Sequence, residues 1–206
     1  MKVLLINGSP HEKGCTYTAL SLIAEELNAR SIETEILNVG TKPVGGCIGC
    51  GGCAKGNGCV FGGVVNEAIE KAKTADAFVF GSPVHYASAS GNMTSFLDRF
   101  SYAGGKYLAY KPAAICCSAR RAGTTTTLDQ LVKYPEFFHM PLVSGSYWPM
   151  VHGSCAEDVL KDEEGCAVMR ELGRNMAWLL QCIEAGKAAG VAHPENPPRP
   201  KTNFIR

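Results

Sequence analysis

Four of the chain's ten cysteines, Cys47, Cys50, Cys53 and Cys59, fall in one short segment with the spacing C-x2-C-x2-C-x5-C. Thiols at that density converge on a metal centre or act as a redox set. Three close thiolates with a fourth nearby suit the corners of a cubane iron–sulfur cluster. The glycines between them let the backbone curl tightly and turn N–H groups toward sulfur. The spacing differs from the ferredoxin run, in which three residues precede a final Cys-Pro. A cluster and free, redox-active thiols stand as equal readings. Zinc stands behind both, because structural zinc takes two separated pairs.

A second set of chemistry-bearing residues follows the opening apolar run Val3-Leu4-Leu5-Ile6. The chain breaks there into Asn7-Gly8-Ser9-Pro10-His11-Glu12-Lys13-Gly14-Cys15-Thr16 and then takes up helical spacing at Leu20, Ile23 and Leu27. A strand that feeds a helix through such a loop turns unpaired backbone N–H groups outward at the positive end of the helix dipole, which favours a phosphate. Ser9, Lys13 and Thr16 add hydroxyl and ammonium donors. The loop is neither a GxxxxGK[ST] phosphate loop nor a GxGxxG dinucleotide turn.

Two further loops complete the set. Gly81-Ser82-Pro83-Val84-His85-Tyr86 offers a rigid proline, an apolar wall at Val84 and two flat partners, which suits a planar ring with polar edges. Ser118-Ala119-Arg120-Arg121-Ala122-Gly123 offers two guanidinium groups for a phosphate or for negative charge on a reduced ring. Cys116 and Cys117 lie in an apolar run and read as small core hydrophobes, as do Cys155, Cys166 and Cys182.

The elements that must hold these loops alternate along the chain. Strands are expected over Lys2–Asn7, Glu33–Val39, Asp76–Gly81, Ala113–Cys117 and Pro141–Tyr147. Helices are expected over 16–30, Val64–Thr74, 91–100, 125–132 and 162–185. Such alternation predicts a doubly wound, five-stranded parallel sheet with helices on both faces. In the strand order 2-1-3-4-5 the first, third and fourth strands are neighbours, so their three loops meet beyond the carboxyl edge of the sheet. The sequence divides into one domain over residues 1–190 and a proline-rich tail over 191–206, read as disordered or laid on a neighbouring subunit.

The chain has 206 residues, 46% of them hydrophobic, and a net charge of +1. That balance gives no electrostatic case for nucleic acid or a membrane surface. The amino terminus reads as a strand rather than an export signal, and no apolar run reaches membrane-spanning length, so a cytoplasmic location is expected.

Taken together, Asn7-Gly8-Ser9-Pro10 with Gly14-Cys15-Thr16, the Gly81–Tyr86 loop, the segment Ser90-Gly91-Asn92-Met93-Thr94-Ser95-Phe96-Leu97-Asp98-Arg99 and the loop after Cys117 resemble the flavodoxin-like NAD(P)H-dependent FMN reductases. The cysteine loop resembles the compact motif of their iron–sulfur flavoprotein branch. The resemblance implies an FMN phosphate held by Ser9, His11, Cys15 and Thr16. The family often has Arg and Asn where this chain has His11 and Cys15, and Lys13 offers a compensating cation. Pro83, Val84, His85 and Tyr86 would contact the flavin ring, together with Ser118, Arg120, Arg121 and Gly123. Cys47, Cys50, Cys53 and Cys59 would hold a [4Fe–4S] cluster. The implied activity passes electrons from NAD(P)H through FMN to a small acceptor such as a quinone, flavin, azo or nitro compound. The alternative is an electron carrier fed by ferredoxin. No side chain is required as a catalytic acid or base; Tyr86, His85 and Arg120 would gate access. A homodimer or homotetramer is also implied.

Overall fold

The computed structural model describes residues 1–198 together with 200 and 202. Its elements are β1 (Lys2–Asn7), α1 (Cys15–Asn28), β2 (Glu33–Asn38), α2 (Val64–Thr74), β3 (Ala77–His85), β4 (Ser88–Ala89), α3 (Gly91–Gly104), β5 (Ala113–Ala119), α4 (Thr124–Phe137), β6 (Met150–His152), α5 (Ala156–Val159) and α6 (Glu163–Ala188). The sheet order is β2-β1-β3-β5-β6, all parallel, with β4 paired antiparallel to the end of β3. The five parallel strands therefore take the expected 2-1-3-4-5 order.

Alternation along each central strand divides the core in two. Val3, Leu5, Ala77, Val79, Ala114 and Cys116 pack against α1 and α6. Leu4, Ile6, Phe78, Phe80, Ala113, Ile115 and Cys117 pack against α2, α3 and α4. Burial on both faces is why these strands read as continuous apolar runs instead of alternating ones. Cys116 and Cys117 are core residues. Burial drives both thiols toward the neutral form, Cys117 being pushed up to about 12. Phe96 and Phe100 of α3 stack on each other within the second layer, centroids 5.3 Å apart, while Tyr102 points outward. Cys166 is buried as expected, but Cys155 and Cys182 are exposed. The first sits at the start of the short α5, and the second on a solvent-facing position of α6.

The last strand lies later than expected. The segment near Pro141 does touch the sheet: Ala113 N–H donates to Pro141 O at 2.9 Å and Val143 N–H to Ala113 O at 2.8 Å. The chain then leaves β5 and returns only at Met150. The polar groups in between are taken by α6. Glu171 accepts from the Ser146 N–H at 2.8 Å and the Ser146 O–H at 2.6 Å, and Asn175 Nδ2 donates to Ser144 O at 2.8 Å. Pro149 has no N–H to give the ladder.

The start of the tail rests on its own chain. His193 stacks on Tyr110 with centroids 4.8 Å apart, and the Tyr110 hydroxyl donates to Pro194 O at 3.4 Å. The tail's remaining positions, Arg199, Lys201 and residues 203–206, lie outside the described residues. Among the described residues no helix is long and apolar enough to cross a membrane.

One surface network stiffens the β2 edge. Glu35 sits between Lys71 (2.6 Å) and Lys2 (2.9 Å). Lys71 foremost, then Lys2, holds its carboxyl below the ordinary value of 4.5. A carboxyl depressed in the folded state contributes stability above its unfolded pKa and loses it as pH falls through the folded one. Glu35→Gln is therefore expected to cost roughly 0.5–1 kcal/mol at pH 7. The cost should stay constant down to about pH 5 and shrink below 4.5 in urea titrations. A difference that grows on acidification contradicts this.

Candidate functional site

The three loops do converge. The Gly8 N–H donates to Gly81 O at 2.9 Å, joining the turn after β1 to β3. The Ser90 O–H donates to Gly8 O at 2.7 Å, accepts from the Met93 N–H at 3.2 Å as the cap of α3, and its own N–H donates to Ser82 Oγ at 2.9 Å. Thr16 and Ser118 share a hydroxyl–hydroxyl bond of 2.8 Å, joining the start of α1 to the end of β5. Only one of the two protons is used in that bond, so the other hydroxyl keeps a proton to donate.

The turn after β1 is internally braced. Asn7 is buried; its Oδ1 accepts from the Ser9 N–H (3.1 Å), and its Nδ2 donates to Glu12 O (3.3 Å) and Asn38 Oδ1 (2.8 Å). Ser9, also buried, accepts from the His11 N–H at 3.1 Å, so its oxygen shapes the turn itself. Gly14 caps α1 with no side-chain bond to the first N–H groups, and the first turn carries no acid. The helix therefore presents its positive end to an anion. Cys15 is half-buried, donates to Gly153 O at 3.5 Å, and burial raises its thiol pKa. It therefore stays neutral at pH 7 and sets no charge against a phosphate. His11 and Lys13 are exposed on the turn, as are Arg120 and Arg121 on the loop after β5. Lys13, Arg120 and Arg121 place positive charge along the same edge, with His11 beside them.

The loop after β3 is a hairpin that the sequence did not disclose. Val84 pairs with Ala89 and His85 with Ser88. The two turn residues, Tyr86 (φ 50°) and Ala87 (φ 57°), both occupy the left-handed region that hairpins of this length require. Non-glycine residues there carry strain of about 1–3 kcal/mol each, held by the surroundings. Here α4 holds it. Gln130 Oε1 accepts from the Ser88 O–H at 2.7 Å and the Ala89 N–H at 2.9 Å, and Thr126 Oγ1 donates to Ala87 O at 2.7 Å. Gly123 (φ 97°) passes so close that a Cβ would meet Ala87 Cα at 2.6 Å. Pro83 and Val84 are half-buried, whereas His85 is exposed and Tyr86 stands fully out at the tip. Gln130→Ala is expected to cost about 1–2 kcal/mol, from two lost bonds in a partly buried setting. It should also speed amide exchange at Ala89. Unchanged stability and exchange would show that the hairpin holds itself.

The cysteine loop lies beside α3. Cys47, Cys50, Cys53 and Cys59 all line one cavity of about 190 Å³, closed by Val60, Phe61, Arg99 and Tyr102. Cys53 is carried on a short 3-10 turn, Gly52–Lys55. Asn66 of α2 clamps Cys59 by accepting its N–H at 2.8 Å and donating to its carbonyl at 3.0 Å. Asn92 of α3 ties the loop's beginning, donating to Gly40 O (2.8 Å) and Lys42 O (3.1 Å) and accepting from the Val44 N–H (3.1 Å). Arg99 donates to Cys59 Sγ (3.2 Å), Gly45 O (3.3 Å) and Gly62 O (3.0 Å). Among the described residues no three Cys, His, Asp or Glu side chains close tightly enough to hold a metal ion. The four thiols line one cavity without three of them converging as a single zinc would require. Four soft donors around a cavity of this size fit a polynuclear cluster better than one ion. Asn92 and Arg99 are seven residues apart on α3, so this cavity lies about 10 Å along the helix from the edge where the other loops meet.

The sequence did not single out Asn7, Ser82, Ser90, Asn66, Asn92 or Gln130 as site residues. Asn7, Ser82, Ser90, Asn92 and Arg99 stood within the motifs that carried the resemblance, without a role of their own, and Asn66 and Gln130 carried no signal.

A family model described as NADPH-dependent FMN reductase matches residues 1–154. An iron–sulfur flavoprotein of Methanocaldococcus jannaschii is 32% identical over 197 residues, covering 89% of this chain and 100% of that one. Two solved structures share the fold. One is an NAD(P)H:(acceptor) oxidoreductase of Paracoccus denitrificans, with TM-score 0.65, 14% identity, 88% of this chain and 97% of that one covered. The other is a flavodoxin from the domain Archaea, with TM-score 0.60, 13% identity, 88% of this chain and 99% of that one covered.

Proposed function

The chain belongs to the NADPH-dependent FMN reductase family, and from that premise we propose that this FMN-dependent oxidoreductase is an iron–sulfur flavoprotein that moves electrons between a flavin at the loop edge and a cluster in the cysteine loop. When bound, FMN supplies hydride acceptance and one-electron release, and a cubane cluster supplies single-electron steps. The observation that carries the reading is the set of four thiols lining one cavity, anchored on the same helix whose first residues lock the loop edge.

In this reading the uncapped start of α1, with Thr16 and the braced Ser9 turn, binds the FMN phosphate. His11 and Lys13 lie beside it, and Cys15 contributes a neutral thiol. Pro83 and Val84 form an apolar wall for the ring, and His85 and Tyr86 stand at its open side. Ser118 and Gly123 shape the floor between hairpin and sheet, and Arg120 and Arg121 offset negative charge on the reduced ring. NAD(P)H is the proposed electron source and a small molecule the proposed acceptor. A one-electron protein donor of the ferredoxin kind is the alternative source. The groove between α3 and α4, about 580 Å³ and lined by Tyr102, Tyr134 and Phe138, is the proposed contact for a homodimer or homotetramer.

Anaerobic purification followed by visible spectroscopy, flavin, iron and sulfide analysis tests the reading. One FMN per chain with stoichiometric iron and sulfide is expected. A colourless protein that takes up no added FMN would refute it. Stopped-flow mixing with NADH, NADPH or reduced ferredoxin then identifies the donor by which reduces the flavin fastest.

A further inference from the structure

We propose that Arg99 is the fixed counter-charge of the cysteine-lined cavity, a positioning residue that makes the loaded cluster easier to reduce. The proposal rests on the cluster reading of the cysteine loop. Arg99 is 7% exposed, and among the described residues no carboxylate pairs with it. Its neighbour Asp98 faces elsewhere, accepting from the Tyr134 hydroxyl at 2.7 Å. The guanidinium instead spends its donors on two loop carbonyls, of Gly45 and Gly62, and on Cys59 Sγ at 3.2 Å, and it lies 5.6 Å from the centre of the Phe61 ring.

A buried cation without a carboxylate is costly unless an anion completes its surroundings. The candidates facing it are the sulfurs of the cavity it lines. A cluster held by four thiolates is net negative and gains one more negative charge on reduction. A desolvated cation beside a ligand sulfur therefore stabilises the reduced form more than the oxidised one. The step is one electron delivered by reduced flavin or by a chemical one-electron reductant, with no bond formed or broken. The planar fork of arginine reaches sulfur and both carbonyls at once. Lys106 is a natural contrast: it lies beside Gly56 of the same loop but is exposed, so water screens it.

The experiment is a redox titration of the anaerobically purified holoprotein, with iron and sulfide per chain measured in parallel. Arg99→Gln is expected to lower the one-electron reduction constant of the cluster at least about tenfold, a shift of about 59 mV. Arg99→Lys should stay within about threefold of wild type, and Lys106→Gln within about twofold. If Arg99→Gln fails to yield cluster-loaded protein, Arg99→Lys, which keeps a cation at the buried position, decides. Iron and sulfide at the wild-type level in Arg99→Lys support a role for charge. Their loss in Arg99→Lys as well means that Arg99 is scaffolding, and the proposal falls. It falls equally if Arg99→Gln keeps its iron and a wild-type reduction constant. A wild-type protein without iron or sulfide overturns the cluster reading and the proposal together, whereas a loaded wild type with an indifferent Arg99 overturns the proposal alone.

Discussion

Gly40→Ala should weaken FMN binding by about 10- to 100-fold, although Gly40 belongs to no loop that touches the flavin in the proposed site. The reason is steric. A Cβ at this position would lie 2.3 Å from Ser9 O and 2.5 Å from Gly8 O. Both are main-chain atoms of the turn proposed to bind the phosphate, so no side-chain rotation relieves the clash. The turn must move, and with it the N–H groups at the start of α1. Misplacement by about 1 Å is enough to cost about a hundredfold where several donors must converge. Overpacking adds a stability loss of about 1–3 kcal/mol. Flavin fluorescence quenching gives the affinity and urea unfolding the stability. Gly45→Ala serves as the control, because no atom lies within 4 Å of its would-be Cβ. Equal affinities for Gly40→Ala and wild type would mean that the turn tolerates the displacement, and that the phosphate is held elsewhere.

Cys53→Ser is the second large effect. Iron and sulfide should drop by more than about tenfold while FMN content stays at the wild-type level, because a serine oxygen is a poor ligand for a soft cluster. The loops of the proposed flavin site and the cysteine cavity share α3 but no side chain that the substitution removes. Cys182→Ser, on the exposed face of α6, should change neither. Retained iron in Cys53→Ser would exclude this thiol from the ligand set. Loss of flavin along with iron would mean that the loop braces the flavin edge as well.

Much of this architecture was legible from residue order. Apolar runs at Val3–Ile6, Phe78–Phe80 and Ala113–Cys117 forced buried parallel strands, and the helical spacing between them forced crossovers on both faces. The loops at one edge followed from that order. The final strand was misplaced because its edge position lets Glu171 and Asn175 of α6 compete for backbone groups, and such competition leaves no periodic trace. The hairpin after β3 was hidden for a related reason. Tyr86-Ala87 lacks the Asn-Gly signal of a tight turn, and the bonds from Gln130 and Thr126 that compensate come from a helix some forty residues away.

The chain alone determined which chemistry was on offer: four thiols in a short segment, an uncapped helix start after a glycine-serine turn, and two arginines after the fourth parallel strand. These are local properties, carried by residue type and spacing. Tertiary structure decided what meets what. It set Thr16 against Ser118, hung both the loop edge and the cysteine cavity on α3, and buried Arg99 against Cys59 without a carboxylate. Contacts between residues far apart in the chain arise only when sheet and helices pack, because burial, not spacing, fixes which polar groups must find each other.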